Sequence, residues 1–296
     1  MKPRIAVTVG DPRGIGPEVV SDVLSDPPAP ADFVVIGPGD LIASIPAAEH
    51  VEVAGFEGGS LDAESAGRLC GIAIEKAAAL ALSGEVAAMV TAPVEKRALH
   101  LAGFDFPGHT EMLAHLAGGP PVAMMLASDE LKVVLASTHL PLKEAIAGLS
   151  TEQLIAVGEI TLRSLKDLWS IDRPRIAFCA VNPHAGEGGD FGCEDFEIVR
   201  PAAEALGAAG PLPADTVFVR ATRGEFDAVV APFHDIGMTA VKMASFGRAV
   251  NVTLGLPFIR TSPDHGTAMD IAGRGVADSS SMRKAVELAV TLSGNS

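Results

Sequence analysis

The stretch RIAVTVGDPRGIGPE, from Arg4 to Glu18, decides how the chain begins to fold. Its first six residues are apolar or β-branched apart from Arg4, which predicts a buried β-strand. The strand ends at the turn-forming GDP of positions 10–12, and the glycines that follow allow a close backbone approach to another group. Pro17 and Glu18 suit the first turn of a helix. The stretch therefore predicts a strand–loop–helix unit, with neither GxGxxG nor a P-loop lysine.

The same alternation of strands and helices continues along the chain. Two longer segments, 65–83 and 151–168, have the apolar spacing of helices. Further strands are predicted at 33–36, 87–91, 175–181 and 228–231, and a hairpin at 122–127 and 131–137 around SDE. This order is typical of an α/β fold with a mainly parallel, helix-covered sheet, in which ligands bind beyond the carboxyl ends of the strands.

The composition indicates a folded, cytoplasmic protein. Of the 296 residues, 48% are hydrophobic and 20% are charged, so the chain can bury a large core. The formal net charge of −15 argues against non-specific nucleic-acid binding, although a local basic pocket remains possible on such a surface. No apolar run is long enough for a signal peptide or a membrane helix. We therefore expect neither a nucleic-acid partner nor a membrane partner.

Three of the eight histidines occupy matching positions in the chain. His139, His184 and His234 each follow an apolar strand and begin a loop, in the contexts STHLP, NPHAG and PFHDI. Because strand ends converge at one edge of a sheet, the three imidazoles can meet at a divalent metal that keeps a position open for substrate. The alternative is that each histidine only caps its loop, since no short metal-binding motif links the three.

The segment from 231 to 275 is dense in polar side chains that need partners. Arg260 stands among apolar neighbours in FIRTS, where an unpaired guanidinium is costly, so we expect an anionic partner. Asn251 stands in the apolar run AVNVTL and needs hydrogen-bond partners. Lys242 follows His234 by eight residues, and its alternative interpretation is a solvated lysine. Together, Lys242, Asn251 and Arg260 predict an anion pocket beside the metal.

Seven ordered motifs resemble the 4-hydroxythreonine-4-phosphate dehydrogenases of pyridoxal phosphate biosynthesis, the PdxA family. The motifs are GDPRGIGPE, TAPVEK, FPGHTE, THLPL, NPHAGEGG, FHDIGM and GLPFIRTSPDHGTAMDIAG. The first and last also resemble segments of the isopropylmalate and isocitrate dehydrogenases. That similarity implies a two-domain α/β/α sandwich of their type, with the active site in the interdomain cleft of a homodimer. We expect a first domain of residues 1–120 plus 264–296, and a second domain, 121–263, with the metal ligands and the dimer contacts.

The resemblance also implies roles for individual residues. The divalent metal would be bound by His139, His184 and His234, with His234 lent across the dimer interface. Substrate would be bound by His109, Thr110, Lys242, Asn251 and Arg260. By analogy with the isopropylmalate and isocitrate dehydrogenases, the adenosine end of NAD would lie nearest His265, Gly266, Thr267 and Asp270. Proton transfer would fall to Lys242, with Asp235 or Asp215 as support.

The activity that the resemblance implies is oxidation of 4-phosphohydroxy-L-threonine by NAD or NADP, with one divalent ion (Zn, Mg, Mn or Co). The resulting 3-keto acid would lose CO₂ to give 3-amino-2-oxopropyl phosphate. Arg13, Phe233 and Ile236 differ from the residues common in the family. These differences leave related substrates open, namely D-threonate or D-erythronate 4-phosphate, or an aromatic cis-dihydrodiol acid. Outside the dehydrogenases, a metal-dependent hydrolase and a non-catalytic binding module remain as alternatives.

Overall fold

The computed structural model describes residues 2–53, 61–245 and 248–295, which belong to two compact units. The first unit combines the chain up to Pro120 with the segment from Val250 to Gly294. The second unit runs from Pro121 to Ala249. None of the described helices has the length and apolar character that a membrane crossing requires.

The described residues form eleven β-strands and eleven α-helices. The strands are β1 (Arg4–Thr8), β2 (Asp32–Pro38), β3 (Glu49–Val53), β4 (Ala88–Thr91), β5 (Ala123–Ala127), β6 (Lys132–Leu135), β7 (Ile176–Cys179), β8 (Ala209–Leu212), β9 (Ala228–Ala231), β10 (Val250–Leu254) and β11 (Ile259–Pro263). The helices are α1 (Gly16–Ser25), α2 (Gly39–Ile42), α3 (Ala63–Leu82), α4 (Lys96–Leu101), α5 (His109–Leu116), α6 (Leu142–Ala147), α7 (Thr151–Asp167), α8 (Arg200–Ala205), α9 (Ala214–Thr222), α10 (His234–Ser245) and α11 (Ser280–Ser293).

The first unit is built on a mainly parallel sheet with the strand order β3–β2–β1–β4–β11–β10. β1 pairs in parallel with β2 and β4, and β11 pairs in parallel with the other edge of β4. β10 is antiparallel to β11. α3 packs against β1 and β2, whereas α11 packs against β4 and β11. β1, β2 and β4 are almost continuously apolar, as expected for the middle of a parallel sheet covered by helices.

The second unit contains a five-stranded sheet with the order β5–β6–β9–β7–β8. The predicted hairpin is confirmed, since β5 and β6 pair in antiparallel fashion. β6, β9 and β7 are parallel neighbours, so their carboxyl ends lie at one edge of the sheet. Each of these three strands is followed by one of the predicted metal histidines: His139 after β6, His234 after β9 and His184 after β7.

β10 and β11 lie in the first unit, whereas the sequence analysis placed residues up to 263 in the second domain. The physical reason is the pairing of β11 with β4, which aligns Ile259 with Ala88. The Thr261 hydroxyl also donates to the Ala285 carbonyl oxygen in α11 at 2.8 Å. We predicted no strand between 232 and 263, so the pairing of this segment with the first sheet was not foreseen.

Candidate active site

His139 and His234 lie side by side in the second unit. The Ser137 hydroxyl donates to the Pro232 carbonyl oxygen at 3.0 Å, which ties the loop after β6 to the end of β9. The imidazole centroids are 5.7 Å apart and the rings are tilted by 45°. Both side chains line one cleft of about 110 Å³. We predicted that both histidines begin loops; His139 lies in a loop, but His234 is the first residue of α10.

The His139–His234 pair fits two ligands of one divalent ion. Imidazole nitrogens bind zinc at roughly 2.0–2.1 Å, which places the ring centres of two ligands roughly 5–6 Å apart. His234 Nδ1 lies 2.8 Å from Asp235 Oδ1, so Nε2 is the nitrogen left for a metal. A carboxylate in this position orients a ligating histidine. Asp235, which we expected to support proton transfer, thus contacts His234 in the structure.

His184 does not complete this pair within the described chain. It lies on the turn Pro183–Gly189 that follows β7, and its ring centroid is 6.2 Å from that of Phe191. No cluster of three His, Cys, Asp or Glu side chains able to hold a metal forms among residues 2–53, 61–245 and 248–295. The strand order brings the three histidine-bearing ends to one edge, but the turn after β7 keeps His184 out of a three-ligand cluster.

In the first unit, Arg260 is a buried cation whose hydrogen-bond acceptors are neutral hydroxyls. It lies in β11 and is 3% exposed. Its guanidinium donates to Thr91 Oγ1 at 2.7 and 3.2 Å and to Thr253 Oγ1 at 3.1 Å. Burial lowers the pKa of Arg260 to about 10, and Glu111 opposes this shift, so the side chain stays charged at neutral pH. A buried charge with neutral partners is incompletely compensated, which favours an anion as its further partner.

His109 Nε2 and Asn251 Oδ1 are two of the four side-chain atoms of the first unit that are buried without a hydrogen-bond partner in the described chain. Burial, together with the positive charges of Arg260 and Lys96, lowers the pKa of His109 to about 3. The imidazole is therefore neutral at physiological pH. Asn251 points to the same face of β10 as Thr253, the residue that contacts Arg260. Buried polar atoms without partners are rare, so these two mark a place for a polar ligand.

The structure thus brings together three of the five predicted substrate residues, and Thr110 follows His109 at the start of α5. Sequence reasoning missed the two threonines that support Arg260. Thr91 begins the TAPVEK motif, and Thr253 stands two residues after Asn251 on β10, so both could have been found from the motif and from strand alternation.

Lys242 and Asp215 lie on two helices of the second unit. Lys242 is exposed on α10, eight residues after His234, which is about 12 Å along a helix that rises 1.5 Å per residue. Asp215 is exposed in the first turn of α9. The proton-transfer role that we assigned to Lys242 and Asp215 stays a prediction.

The loop with the predicted cofactor residues is fastened to the glycine-rich loop after β1. The Ile15 N–H donates to the Thr267 carbonyl oxygen at 2.9 Å. A Cβ on Gly14 would lie 2.6 Å from the same oxygen, so this close approach requires glycine. Further along, the Glu18 carboxylate accepts from the Gly273 N–H at 3.0 Å. Hydrogen bonds from the GDPRGIGPE motif therefore hold the HGTAMDIAG loop in its position.

Within the HGTAMDIAG loop, two side chains are available to a ligand. His265 Nε2 is buried and has no partner among the described residues, while Nδ1 is 3.0 Å from the Gly266 carbonyl oxygen. Asp270 is exposed, and Thr267 is half-buried. Since His265 Nδ1 faces a carbonyl oxygen and must donate, Nε2 of the neutral imidazole is an acceptor. This nitrogen and the exposed Asp270 carboxylate fit the ribose hydroxyls and the exocyclic amino group of an adenosine.

Arg13 holds the same glycine-rich loop in place. Its guanidinium donates two hydrogen bonds to the fully buried Asp11 at 3.0 and 2.8 Å and one to Glu95 at 2.7 Å. These carboxylates, Asp11 first, raise the pKa of Arg13 above its usual value. Arg13 therefore joins the loop after β1 to the TAPVEK segment after β4.

Comparison with known proteins decides the family. The sequence profile of the pyridoxal phosphate biosynthetic protein PdxA matches residues 31–289. The chain belongs to the PdxA family. The resemblance seen in the seven motifs is thereby confirmed.

Individual PdxA relatives cover almost the whole chain. A 4-hydroxythreonine-4-phosphate dehydrogenase from Beijerinckia indica is 43% identical over 97% of this chain and 94% of its own length. The D-threonate 4-phosphate dehydrogenase of Salmonella typhimurium is 42% identical over 97% of this chain and 98% of its own. The crystal structure of a 4-hydroxythreonine-4-phosphate dehydrogenase from Klebsiella pneumoniae is 40% identical, has a TM-score of 0.90, and covers 99% of this chain and 98% of that one.

The expected fold class is also confirmed. Besides PdxA structures, a β-decarboxylating dehydrogenase from Thermococcus kodakarensis shares the fold, with a TM-score of 0.51 and 16% identity over 96% of this chain and 82% of that one. At that identity the likeness concerns the fold alone.

The lowered pKa of His109 makes the free energy of unfolding depend on pH. This pKa falls from 6.5 to about 3 on folding, so the unfolded chain binds more protons than the folded chain between these values, and stability decreases as pH falls through that window. Replacing His109 by Gln removes this contribution, which amounts to as much as about 1.4 kcal/mol per pH unit. In urea denaturation at pH 7, 6 and 5, we expect His109→Gln to lose less stability than wild type. An equal loss in both proteins would contradict the assignment.

Proposed function

We propose that this PdxA protein is an NAD-dependent, divalent-metal-assisted 4-hydroxythreonine-4-phosphate dehydrogenase. The observation that carries the proposal is the buried guanidinium of Arg260, whose acceptors are neutral hydroxyls, together with the unpaired atoms His109 Nε2 and Asn251 Oδ1. A phosphorylated amino acid supplies the anion that this pocket lacks. The relative from Beijerinckia indica, with 43% identity over nearly the full length, is named for the same activity.

Arg260, His109 and Thr110 would bind an anionic end of the substrate, and Asn251 Oδ1 would accept a hydrogen bond from its ammonium or hydroxyl group. Arg260 supplies the charge, and the neutral His109 supplies a hydrogen bond without a second positive charge. Because the guanidinium is already held by Thr91 and Thr253, little side-chain order is lost when the anion arrives. The pocket thus fixes the secondary alcohol in one orientation, which is the main contribution of positioning residues to rate.

The chemistry converts the C3 alcohol to a ketone. NAD would supply the acceptor for the C3 hydrogen, which is removed as hydride. The hydroxyl proton would pass to a base, for which we propose Lys242, with Asp215 as support. The 3-keto acid then loses CO₂, and a proton on the remaining carbon gives 3-amino-2-oxopropyl phosphate. A divalent ion bound at the histidines would supply Lewis-acid stabilisation of negative charge on the substrate oxygen.

His139 and His234 would hold this ion, and Asp235 would orient His234. Imidazole ligands suit zinc or cobalt, whereas manganese and magnesium prefer oxygen ligands. We further propose that the third ligand, His184, comes from a second copy of the chain. This division differs from our expectation that His234 crosses the interface, and its support is the 5.7 Å separation of His139 and His234 within one chain.

Exposed apolar side chains beside the histidines support a homodimer. Leu140 and Leu142 line the same cleft as His139 and are 53% and 59% exposed. Phe191, whose ring contacts His184, is 49% exposed. Apolar side chains grouped on a surface mark protein interfaces more often than free surface. A dimer would cover them and complete the ligand set at the same time.

NAD would bind on the HGTAMDIAG loop. His265, Gly266, Thr267 and Asp270 would contact the adenosine end. The exposed carboxylate of Asp270 favours NAD over NADP, because a carboxylate accepts hydrogen bonds from ribose hydroxyls and repels a 2′-phosphate.

A second candidate substrate is D-threonate 4-phosphate, the substrate named for the Salmonella typhimurium relative at 42% identity. It carries a phosphate and a carboxylate in the same places and lacks the amino group. Phe233, where the family commonly has tyrosine, lines the cleft with His139 and His234. Phe233 lacks the hydroxyl that a tyrosine would place beside the cleft. This difference is compatible with D-threonate 4-phosphate, which differs from 4-phosphohydroxy-L-threonine in one polar group.

An NADH assay tests the reaction directly. We expect NADH formation with 4-phosphohydroxy-L-threonine, its loss after chelation of divalent metal, and its recovery when zinc or cobalt is returned. D-Threonate 4-phosphate, D-erythronate 4-phosphate and an aromatic cis-dihydrodiol acid serve as competitors in the same assay. A higher kcat/KM for one of these would replace the substrate but retain the reaction class. Phosphate release without NAD would instead indicate a hydrolase.

Mixing variants tests how the ligands divide between subunits. If His184 crosses the interface, a heterodimer of His139→Ala and His184→Ala chains has one intact site and one doubly defective site. Random pairing then restores about a quarter of the wild-type sites. A mixture of His139→Ala and His234→Ala leaves every site defective and serves as the matched control. Recovery in the control mixture, with none in the first, would show that His234 crosses instead.

A further inference from the structure

The turn that carries His184 has an unusual backbone. Five consecutive residues, 184–188, lie in the left-handed region, with φ values of 53°, 55°, 79°, 39° and 75°. Three of them, His184, Ala185 and Glu187, are not glycine. Left-handed backbone is unfavourable for residues other than glycine. Such a run of left-handed residues persists only when surrounding contacts hold it in that conformation.

One buried side chain, Asp195, fixes the start of the turn. It begins the π-helical turn Asp195–Val199 and is 1% exposed. Its Oδ1 accepts from the Val181 N–H at 2.7 Å, and its Oδ2 accepts from the Asn182 N–H at 2.9 Å. Both carboxylate oxygens are thus used on the two residues that link β7 to the turn. The turn itself then begins at Pro183.

The neighbouring residues close the turn around this carboxylate. The Asn182 side-chain amide donates to Glu194 at 2.8 Å, and the Phe191 N–H donates to the Gly186 carbonyl oxygen at 3.3 Å. A Cβ on Gly186 would lie 3.8 Å from the Asp195 side chain, so the turn passes directly over it. The left-handed turn is therefore held at its start and at its middle by the segment 191–195.

We propose that Asp195 is a positioning residue that holds His184 for metal binding. Only a carboxylate offers two acceptor oxygens to two parallel N–H groups, since an amide at this position would aim an NH₂ at one of them. Without both bonds, the strained turn relaxes toward right-handed backbone and moves the His184 imidazole. Asp195 touches no reacting atom; it acts through the backbone of residues 181–188. The inference rests on the proposed role of His184 as a ligand.

The test measures metal affinity, by competition with a chromophoric chelator, on the intact assembled protein. We expect Asp195→Asn to weaken zinc binding by about 10–100-fold, the usual effect of removing a group that orients a ligand. The matched control is Asp190→Asn, which makes the same charge change at an exposed position of the same loop and should stay within about twofold of wild type. Equal affinities for Asp195→Asn and Asp190→Asn would overturn the proposal.

A double-mutant cycle separates positioning from general destabilisation. If Asp195 acts through His184, adding Asp195→Asn to His184→Ala should cause no further loss of affinity. If Asp195→Asn weakened zinc binding as much in the His184→Ala background as in wild type, Asp195 would only support the fold, and the proposal would be overturned. Should Asp195→Asn not fold, Asp195→Glu keeps the charge and displaces the carboxylate; wild-type affinity in that variant would count equally against it. Unchanged affinity in His184→Ala alone would instead remove the proposed ligand role.

Discussion

The buried guanidinium of Arg260 is the constraint on which the anion pocket of the first unit depends. The chain accepts the cost of placing a charge inside a parallel sheet, and the acceptors it provides are the hydroxyls of Thr91 and Thr253. β11 lies between β4 and β10, and its pairing with both strands places the guanidinium beside Thr91 and Thr253. A site of this kind binds tightly only what compensates its charge, and a phosphorylated hydroxy acid does so.

Both units hold functional groups on irregular backbone that is fixed by specific bonds. In the first unit, Ile15 and Glu18 fasten the HGTAMDIAG loop to the start of the chain. In the second unit, Asp195 fixes a left-handed turn that would not persist by itself. Loops carry the ligand-binding residues of α/β proteins, and their precision comes from supporting bonds of this type. The motifs surrounding the site therefore contain supporting residues as well as contacting ones.

The sequence predicted the layout of the sheets better than the geometry of the site. Apolar runs and turn residues located β1, β4, β7, β9 and the β5–β6 hairpin, because burial on both faces leaves a clear pattern. The adjacency of His139 and His234 followed from strand ends alone. The orientation of His184 did not, because left-handed backbone at Ala185 and Glu187 contradicts local preference and is imposed by the distant Asp195. The place of β10 and β11 depends on pairing with β4, which is also non-local.

Substrate binding to an Arg260→Met variant tests the central claim most directly. Calorimetric titration of 4-phosphohydroxy-L-threonine into metal-loaded protein should show affinity about 100-fold weaker in Arg260→Met than in wild type, as expected when a buried charge-assisted contact is lost. Without ligand, Arg260→Met should unfold at the same or higher urea concentration, because an uncompensated buried charge has been removed. Wild-type substrate affinity together with reduced stability would contradict the account, since Arg260 would then serve only the fold.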